Sequence, residues 1–347
     1  MALIFADGFD NYGGPNLPVT PFWDTNGNDV DINITPGIPR TGRGCLNIKS
    51  AAFGPIKSFG ADYTHILFCT AFNVSAEQAP RNLMRFMNSA YGGIPIVGVV
   101  VNPSNGAIEF TADPGSPGPT VSTPPGVYHF GAGYQSVAVE IENFTNTTGI
   151  ITCWVNGVMV YHQTGLNTRY GGFANPAFCS GVQLMGAGGI PAFCYHDDFY
   201  ALDCSVAPNN TFLGALKLYS IPPTANGAVA WAPLAGSNWS EVNEVPPDDD
   251  TSYNSSGNIG DVDQYVYPLT GPPANSSLLF VQHELDMKVD SGSRSVASDV
   301  AGVVNASATA LGNAYHIYPT PYDLNPSTGL PWVAGDFPLN AGPKVTA

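Results

Sequence analysis

Charge is what this sequence has least of, and the little it has is mostly negative. Asp, Glu, Lys and Arg make up 11% of the 347 residues, well under the roughly 25% of an average soluble domain. Eleven Lys and Arg stand against 27 Asp and Glu, giving a net charge of −16, and no basic cluster reverses the sign locally. Such a chain repels phosphate backbones and anionic lipid, which excludes nucleic acid and membrane surfaces as partners. Exposed helices usually carry Glu and Lys outward, so the same scarcity argues against many helices. The surface must be made of Asn, Ser, Thr, Gly and Pro. No run approaches the ~18 apolar residues of a membrane span. The opening MALIFAD has no basic n-region, long apolar stretch or cleavage site, so it reads as a first strand rather than a signal peptide.

Signatures of catalysis are missing too. Cys45, Cys69, Cys153, Cys179, Cys194 and Cys204 show no CxxC or metal-site spacing, and they read as free, partly buried thiols. The six histidines are dispersed and lack an HxxxH pattern. There is no G-x-S-x-G elbow, and Gly186-Ala187-Gly188-Gly189 lacks the Lys-Ser/Thr of a phosphate loop. Sequons such as Asn33-Ile34-Thr35 and Asn143-Phe144-Thr145 are expected by chance in a chain this rich in Asn, Ser and Thr. No cofactor is expected.

What is present is apolar residue at period two, cut at short intervals by 39 Gly and 31 Pro. Strands are predicted over 65–74, 94–102, 107–112, 135–144, 150–155, 158–162, 182–185 and 193–202. Asn156-Gly157 is the strongest hairpin signal, since both residues tolerate positive φ. The proline-crowded 113–126 must be a loop. Composition turns polar near 203–210, which places a domain boundary at 205. Further strands are predicted over 211–219, 264–269, 278–289 and 314–318, and the Pro/Gly-rich 320–347 reads as an extended strap. Helical signals are few: 76–87, limited by Pro80, and 237–244. The expectation is an all-β chain with a β-sandwich over 1–205, a smaller β-rich domain over 206–319 and a tail.

Paired carboxylates are the first candidates for chemistry, because a retaining glycosidase needs two carboxyl groups about 5–5.5 Å apart. Glu140 and Glu142 share a strand face with Ser136 and Ala138, opposite Val137, Val139 and Ile141, which reads as a solvated outer face. Glu284 and Asp286 repeat the spacing, with Lys288 where a third carboxylate would stand. For Ca²⁺ the weak candidates are Asp197 and Asp198, and the loop Asp248, Asp249 and Asp250. Their ordinary readings are a strand-end hydrogen-bonding pair and a solvated acidic tip. Tyr161, Arg169, Tyr170 and Phe173 surround the loop 167–175 and could stack on a sugar or fill a subunit contact, where Tyr is also enriched.

The order of motifs resembles a concanavalin A-like (LamG-like) jelly roll. It runs from Asp7-Gly8-Phe9-Asp10 through Arg43-Gly44-Cys45-Leu46 and Trp154-Val155-Asn156-Gly157 to His196-Asp197-Asp198-Phe199-Tyr200. In that fold the VNG hairpin joins adjacent strands, and the DDF-Y strand returns beside the N-terminal strand. The second half, with Gly236-Ser237-Asn238-Trp239, Asp250-Thr251-Ser252-Tyr253, Asp290-Ser291-Gly292-Ser293-Arg294 and Asn325-Pro326-Ser327-Thr328-Gly329-Leu330-Pro331-Trp332, resembles bacteriophage virion proteins that carry such a domain. The resemblance implies a non-enzymatic structural protein of a tailed phage, assembled in the host cytoplasm and placed at the tail or tail fibre. Its partners would be other virion proteins and copies of itself. A capsid-decorating position is one alternative. A lectin-like adsorption protein that binds a host surface glycan is the other.

Overall fold

A computed structural model of the chain describes residues 2–12, 22–25, 30–33, 35, 38–48, 53–74, 81–88, 94–111, 120–169, 177–186, 194–270, 272–273 and 275–347. It divides into two compact units. The first comprises residues 2–9 and the chain up to Leu218; the second comprises Tyr219–Ala347 together with residues 10–12.

The first unit is a jelly-roll-type β-sandwich. Its strands are β1 (Leu3–Asp7), β2 (Val30–Asn33), β3 (Cys45–Ile48), β4 (Phe53–Tyr63), β5 (His65–Val74), β6 (Arg81–Asn88) and β7 (Ile94–Val101). They continue with β8 (Ile108–Thr111), β9 (Thr120–Ser122), β10 (Gln135–Glu142), β11 (Gly149–Val155), β12 (Val158–Leu166), β13 (Cys179–Met185) and β14 (Cys194–Asp203). One sheet runs β12-β11-β10-β5-β14-β3-β2, with β1 also on β14; the other runs β4-β13-β6-β7-β8-β9. All pairings are antiparallel. Asn156 and Gly157 take φ of 50° and 84°, as the hairpin between β11 and β12 requires. Asp7 of β1 lies opposite Phe199 of β14, so the DDF-Y strand does return beside the N-terminal strand.

Alternation explains which residues form the core. Ile66, Phe68, Thr70 and Phe72 of β5 share a face with Ile141, Val139 and Val137 of β10. Phe68 stacks on Phe86 of β6 in the facing sheet at 4.4 Å between ring centres. A second aromatic group, Phe5, Phe22, Trp23 and Phe199, closes the N-terminal end with ring spacings of 4.7 to 6.1 Å. Trp23 is fully buried and donates its indole N–H to Asp7 Oδ2 at 2.7 Å, which satisfies the polar atom that its burial would otherwise strand.

Four expectations change. The face carrying Ser136, Ala138 and Glu140 is not a solvated outer face: Ser136 and Ala138 are buried. The segment after β14 lies over that face, with Phe212 stacked on Trp154 at 4.9 Å and Gly214 O accepting from the Tyr200 hydroxyl at 2.9 Å. This is also why the boundary falls after Leu218 rather than at 205, and why 211–219 is covering segment instead of strand. Finally, 81–88 is strand β6 and not helix. Its Leu83, Met84, Phe86 and Met87 are all buried, so both faces are covered and no period-two pattern shows. Residues 76–80 of that helical expectation lie outside the described residues.

The second unit is smaller and β-rich. Its strands are β15 (Ala225–Asn226), β16 (Ala232–Pro233), β17 (Asn254–Ser255), β18 (Tyr265–Tyr267), β19 (Val281–Met287), β20 (Ser295–Val300), β21 (Val303–Val304), β22 (Thr309–Ala310), β23 (His316–Tyr322) and β24 (Leu339–Val345). The main sheet runs β15-β18-β24-β20-β21 with β22 also on β20, while β19 pairs β23. The 237–244 expectation is met by a 3-10 turn at Asn238–Glu241. The supposed strap is corrected: β24 is an interior strand of the sheet, and Trp332 is buried with Val300, Tyr322, Leu339 and Ala341.

Gly342 is what lets β24 sit there. A Cβ on it would lie 1.8 Å from Asp263 O and 2.9 Å from Gln264 Cα, both backbone atoms that cannot swing away. Gly342→Ala is therefore expected to destabilise the second unit by about 3 kcal/mol, the upper range of overpacking. Urea unfolding of the full chain measures it; a loss below ~0.5 kcal/mol would show that the strand can shift freely.

Candidate functional site

Asp197 and Asp198 sit where β14 changes partners. β3 pairs with Cys194–His196, β1 pairs from Phe199 onward, and the register against β5 slips between Asp197 and Tyr200. Asp198 takes φ +50° at this bulge. The two carboxylates fill the gap in the ladder. Asp197 Oδ2 accepts from the backbone N–H groups of Arg40 (2.7 Å) and Thr41 (3.2 Å), and its Oδ1 accepts from Asp198 N (2.8 Å). Asp198 Oδ1 accepts from Leu218 N at 2.7 Å. Its Oδ2 accepts from Arg40 Nη1 at 2.7 Å and Thr41 Oγ1 at 3.1 Å.

Both side chains are buried, and burial pushes both carboxyls above the ordinary range; at Asp197 the neighbouring carboxyl adds to the rise. The N–H donors and the guanidinium oppose it. The position a cation would take beside Asp198 is held by Arg40, whose Nη1 also donates to Leu216 O at 2.8 Å. This is the strand-end reading of the pair.

The second acidic candidate is more than a solvated tip. Asp248 Oδ1 caps the turn by accepting from Ser252 N (3.0 Å) and Ser252 Oγ (2.7 Å). Asp250 Oδ1 accepts from Lys288 Nζ at 2.6 Å and from the Tyr315 hydroxyl at 3.3 Å, and Lys288 Nζ lies 4.6 Å from the Tyr315 ring centre. Asp249 neighbours Asp286, and burial first, then the charges of Asp250 and Asp248, raises the Asp249 carboxyl above its ordinary value. Burial first, then the charge of Asp249, raises the Asp286 carboxyl to about 7. Asp286 Oδ1 is buried without a hydrogen-bond partner among the described residues. Glu284 turns to Asn11 and Gln282, so the 284/286 pair does not present two carboxylates to one point.

Glu140 and Glu142 are likewise separated in role. Glu142 Oε1 accepts from Asn143 at 3.4 Å, while Glu140 Oε1 lies 2.5 Å from His65 Nε2. That contact holds the His65 imidazole above its ordinary value, against the opposing effect of burial. With Cys204 these two residues form a group of three metal-competent side chains whose ligand atoms lie within 4.8 Å of one another. Sequence spacing gave no sign of it. All six cysteines are buried thiols outside any disulfide.

The aromatic candidates are only partly gathered. Tyr161 projects from β12, half-buried, with its ring 5.4 Å from Phe110 and its hydroxyl donating to Gln163 Oε1 at 2.5 Å. Arg169 follows β12; its N–H donates to Asn167 Oδ1 at 3.0 Å. Tyr170 and Phe173 lie outside the described residues. More conspicuous is the tip that sequence reading passed over, where Val158 and Met159 are 64% and 58% exposed. No helix among the described residues is long and apolar enough to cross a membrane.

No family model and no curated protein matches the chain. Among solved structures it resembles endo-β-1,4-glucuronan lyase from the fungus Trichoderma reesei at 14% identity and TM-score 0.40, over 57% of this chain and 94% of that one. It also resembles cellulose-induced protein Cip1 (12%, 0.40, 61% and 99%) and alginate lyase Aly36B (13%, 0.36, 57% and 95%). Likeness this remote carries nothing about the activity of this chain.

Proposed function

We propose that this chain is a non-enzymatic structural protein of a tailed-bacteriophage virion, tail- or tail-fibre-associated, working by docking to neighbouring subunits. The observation that carries the docking role is the outer edge of β12, which pairs with no strand among the described residues. An unpaired strand edge is an invitation to another chain, and proteins that stay apart blunt it with charge, proline, brevity or a covering segment. Three other outer strands of the sandwich are blunted. β9 and β2 are three and four residues long, and β4 carries Pro55 and Lys57 and is covered by Asp24 and Thr25. β12 is nine residues of VMVYHQTGL, mostly exposed, with neither charge nor proline. Two bulges bend its ladder to β11, and no described strand pairs with its other edge.

Virion membership rests on the motif order from Asp7-Gly8-Phe9-Asp10 to Pro331-Trp332. The non-enzymatic reading is supported by the Asp197 and Asp198 carboxylates, which are already committed to N–H donors and to Arg40. Sedimentation of the full chain tests the docking role. We expect a discrete oligomer that Val158→Asp combined with Met159→Asp reduces to a folded monomer, since both positions are exposed. A wild-type chain that stays monomeric at all concentrations, or a variant that associates unchanged, would contradict it.

A further inference from the structure

We propose that His65, Glu140 and Cys204 bind one Zn²⁺ ion, with a water molecule completing a tetrahedron. The three come from three different segments, and the sheet brings them together by register. Glu140 lies opposite Leu67, two residues from His65 on the same face of β5. Asp203 is opposite Ile66, and Cys204 N donates to His65 O at 3.0 Å, so Cys204 takes the position opposite His65 on the other side. An imidazole on the central strand thus has a carboxylate on one flank and a thiol on the other, all on one face. Their ligand atoms lie within 4.8 Å of one another.

Around zinc, bonds of 2.0–2.3 Å set ligand atoms roughly 3.3–3.8 Å apart. The 2.5 Å His65–Glu140 contact has to open and the thiol to approach, each by about 1 Å, which side-chain rotation supplies without moving the strands. The thiol is not committed elsewhere: its contact to Leu202 O is 4.0 Å long. One nitrogen, one sulfur and one oxygen are a ligand set that zinc accepts, and that Mg²⁺ and Ca²⁺, which take oxygen, do not. Glu140 and Asp203 surround the thiol with negative charge, the field that a dication needs. On binding, the thiol loses its proton to solvent and the thiolate forms the Zn–S bond; no redox change occurs. The ion would tie β5, β10 and the start of the covering segment at one end of the sheet.

The test uses the reduced full chain, stripped of metal with a chelator and titrated with Co²⁺, then Zn²⁺. We expect one Co²⁺ per chain, a near-ultraviolet thiolate-to-cobalt charge-transfer band with the strong visible bands of four-coordination, and displacement by Zn²⁺. Cys204→Ser should abolish the charge-transfer band, Cys153→Ser should leave it, and Glu140→Gln should weaken binding at least about tenfold. A folded wild-type chain that shows no such band overturns the proposal, as does a band that survives in Cys204→Ser. Should Cys204→Ser fail to fold, folded Glu140→Gln decides: unchanged affinity overturns the site.

Discussion

Arg40→Ala is expected to destabilise the first unit by about 3–5 kcal/mol, the cost of leaving a buried carboxylate without its partner. Asp198 has a side chain only 1% exposed, and Arg40 is its only ion-pair partner among the described residues. Leu218 N and Thr41 Oγ1 would still donate to Asp198, and the Arg40 and Thr41 N–H groups to Asp197, so the loss falls on the guanidinium. Because burial already holds the Asp198 carboxyl upward, its protonated form is the escape route for the variant. The loss should therefore be smallest in acid and grow as pH rises. Asp198→Asn made in the Arg40→Ala background should recover much of it, since the charge is then gone. Urea unfolding of the two variants measures both effects, and a loss for Arg40→Ala under ~1 kcal/mol would show that water reaches the pair. Ca²⁺ should leave the wild-type melting temperature unchanged, because Arg40 holds the cation position.

The second large effect is a pH dependence of the second unit set by Asp286. Its carboxyl titrates near 7 when folded and near 3.8 when unfolded, so the folded state holds the extra proton between those values. Stability must then fall as pH rises through that window, and it is fully present only below the unfolded value. Solvent beside the exposed Asp249 moderates the effect, which we place at about 2 kcal/mol across the window. Asp286→Asn should remove the slope and make the unit more stable at neutral pH, since the amide can donate to Asp249 without carrying charge. Calorimetry of the full chain from ~pH 4.5 to ~pH 8 checks the sign. A wild-type second unit whose stability rises through that range would contradict it. The Asp250–Lys288 pair works the other way but lower, because Lys288 holds the Asp250 carboxyl below its ordinary value.

The sequence was most legible where one local rule decided the outcome. β5 and the Asn156-Gly157 hairpin could be read directly, the first from continuous apolar character and the second from its need for positive φ. β6 could not, because burial on both faces erases alternation and its Leu, Met and Arg residues favour helix intrinsically. β24 was hidden by Gly342 and Pro343, residues that usually end strands; here the glycine permits the close approach of Asp263. Several motifs of the second half have local reasons. Asn238 donates to Asp263, Asn325 Oδ1 caps Ser327, and Trp332 donates to Tyr322 O. The metal-competent group was invisible because His65 and Glu140 are 75 positions apart and only strand register joins them. The Asp249–Asp286 pair likewise depends on where β19 runs.

The central claim is that this chain works by docking through the β12 edge inside a virion. A cryo-EM map of phage particles that contain it, at side-chain resolution, tests that most directly. The account predicts the chain at symmetric positions on the tail or its fibres, with Val158, Met159 and the β12 edge against a neighbouring subunit. A chain absent from the particles, or present with that edge facing solvent, would contradict it.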